Sequence, residues 1–447
     1  MTSLALRPLV LDTGDTAWLL VASALVLLMA PGLALFYGGM VRSKGVLNMM
    51  MMTFGALGVI VVVWVLVGYS LAFGDDVGWG LVGDPTQFFG LQSLMSEDSN
   101  GDGTVPRILF AVFQGLFCVI TGALVSGAIA DRARFGAWLV FVAVWTVLVY
   151  APVAHWVFDF SAGDHVGGWI ANDLGAIDFA GGMAVEICSG ASGLALALVL
   201  GPRLGFGKDP MRPHNLTLVM LGAGLLWFGW FGFNAGSALA ANQTAAIVFT
   251  TTLLAGAAGS LGWLLLERLR DGHATTLGAA SGLVAGLVAI TPSCGSLTPL
   301  GAIAMGGVAG VVCALAVGLK YRFGYDDSLD VVGVHLVGGL IGTFGIGVLG
   351  SAAAPTGVDG LLYGGGVDQL GKQLVGGGAV LVYAFVVSGI IGVVIDKAMG
   401  FRIHEEHELT GIDQVVHAET AYDLHATAGA RSGHSVLGTM THREDNE

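Results

Sequence analysis

Two ionisable residues interrupt stretches that are otherwise apolar: Glu186, in Asp178-Phe-Ala-Gly-Gly-Met-Ala-Val-Glu186, and His335, in Asp330-Val-Val-Gly-Val-His335. An ionisable group in hydrocarbon costs at least ~2.5–3.5 kcal/mol, so such residues face a bundle interior or a water path. A desolvated carboxyl favours its neutral form and a nearby imidazole favours the charged one, so a carboxyl and an imidazole in contact titrate as one pair sharing a proton. The chemistry on offer is proton passage, or acid and base catalysis inside the membrane. Both segments begin with Asp, continue through small or apolar residues and end on the ionisable residue. At ~1.5 Å per residue, Glu186 lies ~12 Å beyond Asp178 and His335 ~8 Å beyond Asp330. From opposite faces, those depths meet across ~30 Å of hydrocarbon only if vestibules recess the helix starts.

The elements that carry them are membrane spans. Of 447 residues 55% are apolar and 11% charged, against roughly 25% charged in a soluble protein. Runs near the ~20 residues that cross a bilayer fall at 16–39, 46–73, 106–130, 136–157, 179–201, 215–239, 244–267, 274–291, 299–319, 332–351 and 373–396. The run 274–291 is short and Gly-rich, a length that also suits a re-entrant segment. The expected fold is an all-α integral membrane protein of eleven helices. Glu186 and His335 fall in its fifth and tenth spans, which run in opposite directions, as an inverted repeat of five plus five would give. Glycine, at 72 residues, recurs in small-xxx-small spacing, as at Gly306 and Gly310 and in the run Gly333 to Gly339, and such residues let helices approach closely in lipid.

Lys and Arg cluster in alternate loops, from Arg42 and Lys44, through Arg132 and Arg134, to Lys397 and Arg402. Of 18 basic residues, only Arg7, Arg107 and Lys372 fall on the other side. The positive-inside rule then places the N-terminus outside and the C-terminus in the cytoplasm, in a bacterial cytoplasmic membrane. The opposite loops carry Asp75, Asp76, Asp84, Glu97, Asp98, Asp102, Asp159, Asp164 and Asp173. They attract cations, or are acidic only because basic residues are excluded from them. Nothing suggests nucleic acid. Met1–Thr16 lacks a basic region followed by its own apolar core and cleavage site, so the first span is expected to insert directly. Cys118, Cys188, Cys294 and Cys313 have no metal-ligand spacing and read as packing residues, with Cys294 alone placed for external chemistry to reach. No cofactor motif is present.

Several segments resemble the ammonium transporter family (Amt/Mep/Rh), of bacterial Amt type, in the family's order: Phe113-Gln-Gly-Leu-Phe117, Asp178-Phe-Ala-Gly-Gly182, Gly205-Phe-Gly-Lys208, Pro213-His-Asn215, Trp230-Phe-Gly-Phe-Asn-Ala-Gly-Ser237, Thr291-Pro-Ser-Cys-Gly295 and Asp330 to His335. The resemblance implies transport of ammonium and methylammonium, as ammonia plus a proton, by a homotrimer with one hydrophobic pore in each subunit. It makes Phe117 and Phe233 the stacked gate, with Phe113 and Trp230 beside them. It makes Ser237 the hydroxyl of the recruitment site, Asp178 the residue that shapes that site, and Gln114 and Thr291 pore-lining. An aromatic cage with one hydroxyl suits a small cation, since ring faces attract charge without a fixed counter-ion that would trap it. Two positions depart from the family. Phe158 stands where the family has Trp, a weaker cation–π face, and Trp169 is expected to compensate from the long loop that follows. Glu186 replaces the first of two pore histidines, His335 being the second, and the pair becomes a proton relay. Some fungal members share that exchange.

Residues 1–402 are expected to form the transmembrane domain, 403–427 a cytoplasmic regulatory segment and 428–447 a disordered tail. Gly411-Ile-Asp413-Gln-Val-Val-His417 to Tyr422 resembles the family's C-terminal signature, which implies regulation by a trimeric PII signalling protein at the cytoplasmic pore mouth. The run His404-Glu-Glu-His407-Glu reads as a solvated charged stretch rather than a metal site. Two other classes stay open. A non-transporting ammonium sensor shares this membrane domain but carries an added signalling module, for which this tail is short. An intramembrane enzyme would use Glu186 and His335 as base and acid, but no His-Glu-x-x-His or Gly-x-Ser-x-Gly element supports it.

Overall fold

The computed structural model describes residues 11–96 and 103–422. Arg7, Glu97, Asp98, Asp102, Arg431, Arg443 and the expected tail 428–447 lie outside the described residues. Among the described residues, ten helices are long and apolar enough to cross a membrane: α1 (Thr13–Met40), α2 (Val46–Phe73), α3 (Arg107–Ile129), α4 (Phe135–Phe158), α5 (Gly182–Leu200), α6 (Leu216–Gly236), α7 (Gln243–Arg270), α9 (Pro299–Phe323), α10 (Val332–Leu349) and α11 (Asp368–Met399). The shorter apolar helix α8 (Thr276–Ile290) is regular and mostly buried. Among the described residues, β-structure is confined to isolated bridges such as Asp76 with Gly83. The helix count and class are those expected from the hydropathy pattern.

Polar side chains start the helices where orphan amides need acceptors. Asp12 accepts from Gly14 and Asp15 at the head of α1, and Asn215 accepts from Leu218 at the head of α6. These two helices open the two halves of the chain and pack against each other. A Cβ on Gly222 would fall 2.3 Å from the Phe36 backbone nitrogen, so that contact admits no side chain. α11 begins at Asp368, five residues before the apolar run expected there, because its first turn is polar and Lys372 pairs with Asp368 at 2.7 Å.

Beyond Met399 the chain turns under the bundle, where the Ile403 amide donates to the Arg132 carbonyl at 2.9 Å. The short helix α12 (Glu405–Thr410) follows. Glu408 is 2% exposed and accepts from the Leu204 amide at 2.8 Å and from Arg402 at 3.1 Å. The stretch expected to be wholly solvated therefore buries one carboxylate, since the unpaired amide of the 201–215 loop and a guanidinium both need an acceptor there. Four residues of the C-terminal signature dock on the bundle, at Lys44, the head of α2 and the 201–215 loop. Gly411, at φ +123°, packs against Lys44. Asp413 accepts from the Leu47 and Asn48 amides at 3.0 and 2.8 Å, capping the head of α2. His417 Nε2 lies 3.1 Å from Asn48 Oδ1, and Tyr422 Oη lies 2.9 Å from His214 Nε2.

Candidate functional site: a gated conduit with a buried carboxyl–imidazole pair

Glu186 and His335 meet. His335 Nδ1 is 2.7 Å from Glu186 Oε2 with both side chains buried. Asp178 accepts from four successive amides, Gly181, Gly182, Met183 and Ala184, at 2.6–3.2 Å. That clamp holds the head of α5, and Glu186 sits in the widened π-helical turn Gly182–Ile187 that follows. At the head of α10 the matching carboxylate is Asp327, which accepts from the Val331 and Val332 amides at 3.0 and 2.7 Å. His335 sits in the π-helical turn Val332–Leu336.

The expected partner of Asp178 was Asp330, and here the structure corrects the sequence. Asp327 precedes His335 by the same eight residues that separate Asp178 from Glu186. Asp330 instead occupies the place of Gly181: both residues have positive φ, +63° and +113°, and both follow their clamp by three residues. Asp tolerates that backbone better than most side chains, and Lys320 Nζ neutralises its carboxylate at 2.7 Å.

A third matched pair explains the contact distance. Gly190 and Gly339 each lie four residues after the ionisable residue. A Cβ on Gly339 would fall 2.8 Å from Glu186 Cβ, and one on Gly190 would fall 2.5 Å from the Leu336 backbone nitrogen. Each helix therefore presses a bare backbone against the other helix beside its ionisable residue.

Above the pair, Phe117 and Phe233 stack with centroids 4.1 Å apart and planes 14° apart. Phe117 borders a vestibule of about 640 Å³, together with Gln114, Phe158, Asp178 and Ser237. Phe233 borders the next cavity inward, of about 10 Å³, with Trp230, Glu186 and His335. That volume is about one water's worth. His335 also borders a third space, with Tyr37, Ser281 and Asp330. The Phe117–Phe233 stack separates the vestibule from the cavity beside Glu186 and His335, and that cavity shares Phe36, Val284 and His335 with the third space. Glu186 Oε1 has no hydrogen-bond partner on a residue that is 1% exposed.

The remaining candidates surround this line. Phe113 packs edge-on against Phe117 at 4.9 Å. Thr291 stands behind Trp230, accepting from its indole N–H at 2.8 Å. Ser237 donates to the Phe233 carbonyl at 2.9 Å. Phe158 reaches the vestibule with its ring 6.4 Å from that of Phe117, whereas Trp169 does not border it but packs on Trp156 at 6.0 Å, with its amide tied to the Gly80 carbonyl at 3.1 Å. Cys294 is fully buried, with its thiol against the Thr291 carbonyl, and not open to external reagents.

One residue that nothing in the sequence singled out is Gln373. Its side chain accepts from the Ile177 amide at 2.6 Å and donates to the Ile177 carbonyl at 2.7 Å, fixing the segment that delivers Asp178. A Gln inside an apolar run was the available signal.

With this geometry in hand, the chain belongs to the ammonium transporter family, whose family model, described as "Ammonium Transporter Family", matches residues 17–422. It is 57% identical to an ammonium transporter of Mycobacterium tuberculosis over 94% of this chain and 92% of that one. It is 45% identical to an ammonium transporter of Bacillus subtilis over 92% and 99%. Among solved structures it resembles Mep2 of Saccharomyces cerevisiae, with 37% identity, a TM-score of 0.81 and coverage of 89% and 88%. A protein described as a sensor Amt protein is also similar, with 27% identity, a TM-score of 0.83 and coverage of 90% and 98%. The family is one of transporters, not enzymes, and the chain is a multi-pass membrane protein.

Proposed function

We propose that this chain moves ammonium across the bacterial cytoplasmic membrane as ammonia plus a proton. The 2.7 Å contact between Glu186 and His335 beneath the Phe117–Phe233 stack carries the reading. Ammonium is held in the vestibule by the ring faces of Phe117 and Phe158 and by Ser237. Because that hydroxyl spends its proton on the Phe233 carbonyl, its lone pairs are free to accept from a cationic N–H. The ring stack and the small apolar cavity beyond it exclude a hydrated ion. A proton released to the Glu186–His335 pair leaves neutral ammonia, which crosses with no charge to desolvate. Potassium has no proton to give up and stays out. Charge balance across the loops supports an external N-terminus and an internal C-terminus.

Expression in a strain without its own ammonium transporters should restore growth on limiting ammonium, and vesicles with purified protein should take up methylammonium. Absence of both would sink the reading and favour the non-transporting alternative. Ser237→Ala should weaken half-saturation by no more than a hydrogen bond to a charged group, ~1.5–3 kcal/mol, and leave the maximal rate near that of the parent.

The tail is proposed as a regulatory element in a homotrimer, with a PII signalling protein as its partner. Asp413 caps α2, His417 reaches Asn48 in its first turn, and Glu408 and Tyr422 hold the 201–215 loop, so loss of the segment frees both. Truncation after Met399 should reduce flux severalfold, whereas removal of 428–447 alone should be nearly silent. Equal flux from both truncations would exclude a role for the docked segment.

A further inference from the structure

We infer that His165, charged and shared between Asp75 and Asp159, is a positioning residue that holds the Phe158 side of the outer vestibule and makes ammonium capture depend on external pH. The inference rests on the placement of Phe158 in the recruitment site. Asp159 follows Phe158 directly and anchors the loop that leaves the vestibule rim. Its carbonyl accepts from the Gly168 amide at 3.0 Å and from Asn172 Nδ2 at 2.9 Å, and the next residue, Phe160, lines the vestibule. His165 reaches back across this loop. Its Nε2 is 2.9 and 3.0 Å from the two oxygens of Asp159, and its Nδ1 is 2.6 Å from Asp75 Oδ1.

A neutral imidazole has one N–H and one lone pair, so it satisfies one of these carboxylates and turns a lone pair towards the other. Both contacts are favourable only when both nitrogens carry protons. The surrounding charges agree. From the loop after α2, Asp75 faces His165 and is itself held by Gln87 Nε2 at 3.1 Å. From the end of α4, His155 Nδ1 lies 3.2 Å from Asp159 Oδ2, and its Nε2 lies 3.4 Å from Asp76 Oδ1. The Asp76 amide is bonded to the Val166 carbonyl at 3.1 Å, so the two loops are joined on both sides of the imidazole. Among the described residues, the ion-pair partners of His165 are the carboxylates of Asp75 and Asp159.

The two carboxylates outweigh partial burial and raise the His165 pKa above its ordinary value. The group's folded pKa exceeds its free value of ~6.5. The tie is therefore complete below about pH 6.5 and is lost as external pH rises through the raised value. Ammonium remains overwhelmingly protonated over this interval, so the substrate itself does not change.

The test measures methylammonium uptake in vesicles of fixed internal pH while external pH is stepped from acidic to mildly alkaline. In the parent, the half-saturating concentration should rise by about two- to fivefold, the scale of a partly exposed ion pair, with little change in maximal rate. His165→Gln should show the weaker value at every pH. His165→Arg, a permanent cation able to bond both carboxylates, should show the tighter value at every pH. Asp75→Asn, remote from the rings, should behave as His165→Gln. Phe158→Leu separates the two ideas. If Phe158→Leu leaves half-saturation unchanged, the recruitment site is misplaced. If it weakens capture while His165→Gln keeps the parent's pH dependence, the tie through His165 is refuted.

Discussion

Glu186→Gln is expected to lose most of the ammonium-evoked current, by about a hundredfold, the lower range for removing a positioned proton-transfer group. Gln keeps the shape and one hydrogen bond to His335 Nδ1, so the change isolates the ability to ionise from packing. Glu186 is 1% exposed, with one oxygen on His335 and the other unpartnered beside the small cavity under the ring stack. A carboxylate placed so has one open position for a proton arriving from substrate and one neighbour to receive it. Glu186→His should remain a working transporter with a shifted pH profile, because two imidazoles can also share a proton. His335→Ala should abolish transport or admit potassium, since it leaves an unpaired buried carboxyl and opens space beside it. Solid-supported-membrane recordings on purified protein, with ammonium and potassium pulses compared, report all three. Unchanged current and potassium exclusion in Glu186→Leu would end the relay.

Which parts of this machinery can be read from the chain depends on the length scale of the signal. Hydrophobic runs are long, and all eleven helices were legible, as were the two ionisable interruptions, because apolar surroundings make Glu186 and His335 conspicuous. What failed was local. Asp330 is nearer to His335 in sequence than Asp327 and opens the same kind of apolar run, so it reads as the start of the segment. The amide clamp falls to Asp327 because a carboxylate caps the amides at the positions that follow it, and Asp330 is spent inside that turn with its side chain on Lys320. The cue that the segments match lay in equal spacing to the ionisable residue, a comparison of the two halves rather than a property of either. Trp169 failed for a different reason: its loop is held by backbone contacts to the 74–83 hairpin, which no residue type announces. His165 was invisible because its partners, Asp75 and Asp159, are 90 and 6 residues away.

The glycines after each ionisable residue set the second large effect. Gly190→Ala would place a methyl 2.5 Å from both Leu336 Cβ and the Leu336 backbone nitrogen, and backbone cannot swing aside as a side-chain end can. Overpacking of this kind costs about 1–3 kcal/mol, and relief requires α5 and α10 to separate. A separation of under 1 Å takes the Glu186–His335 contact from 2.7 Å out of hydrogen-bonding range, so flux should fall at least as far as stability does. Gly339→Ala, whose nearest clash is a side-chain carbon at 2.8 Å, should behave the same way more mildly. Gly378, in α11, has nothing within 4 Å of a built Cβ, and Gly378→Ala should keep full flux with a slightly higher melting temperature, as expected where Ala fits a helical Gly site. Thermal unfolding in detergent, paired with methylammonium uptake, ranks the three. If Gly190→Ala matches the parent in both, the close approach of the two repeats is not what brings the carboxyl and imidazole together.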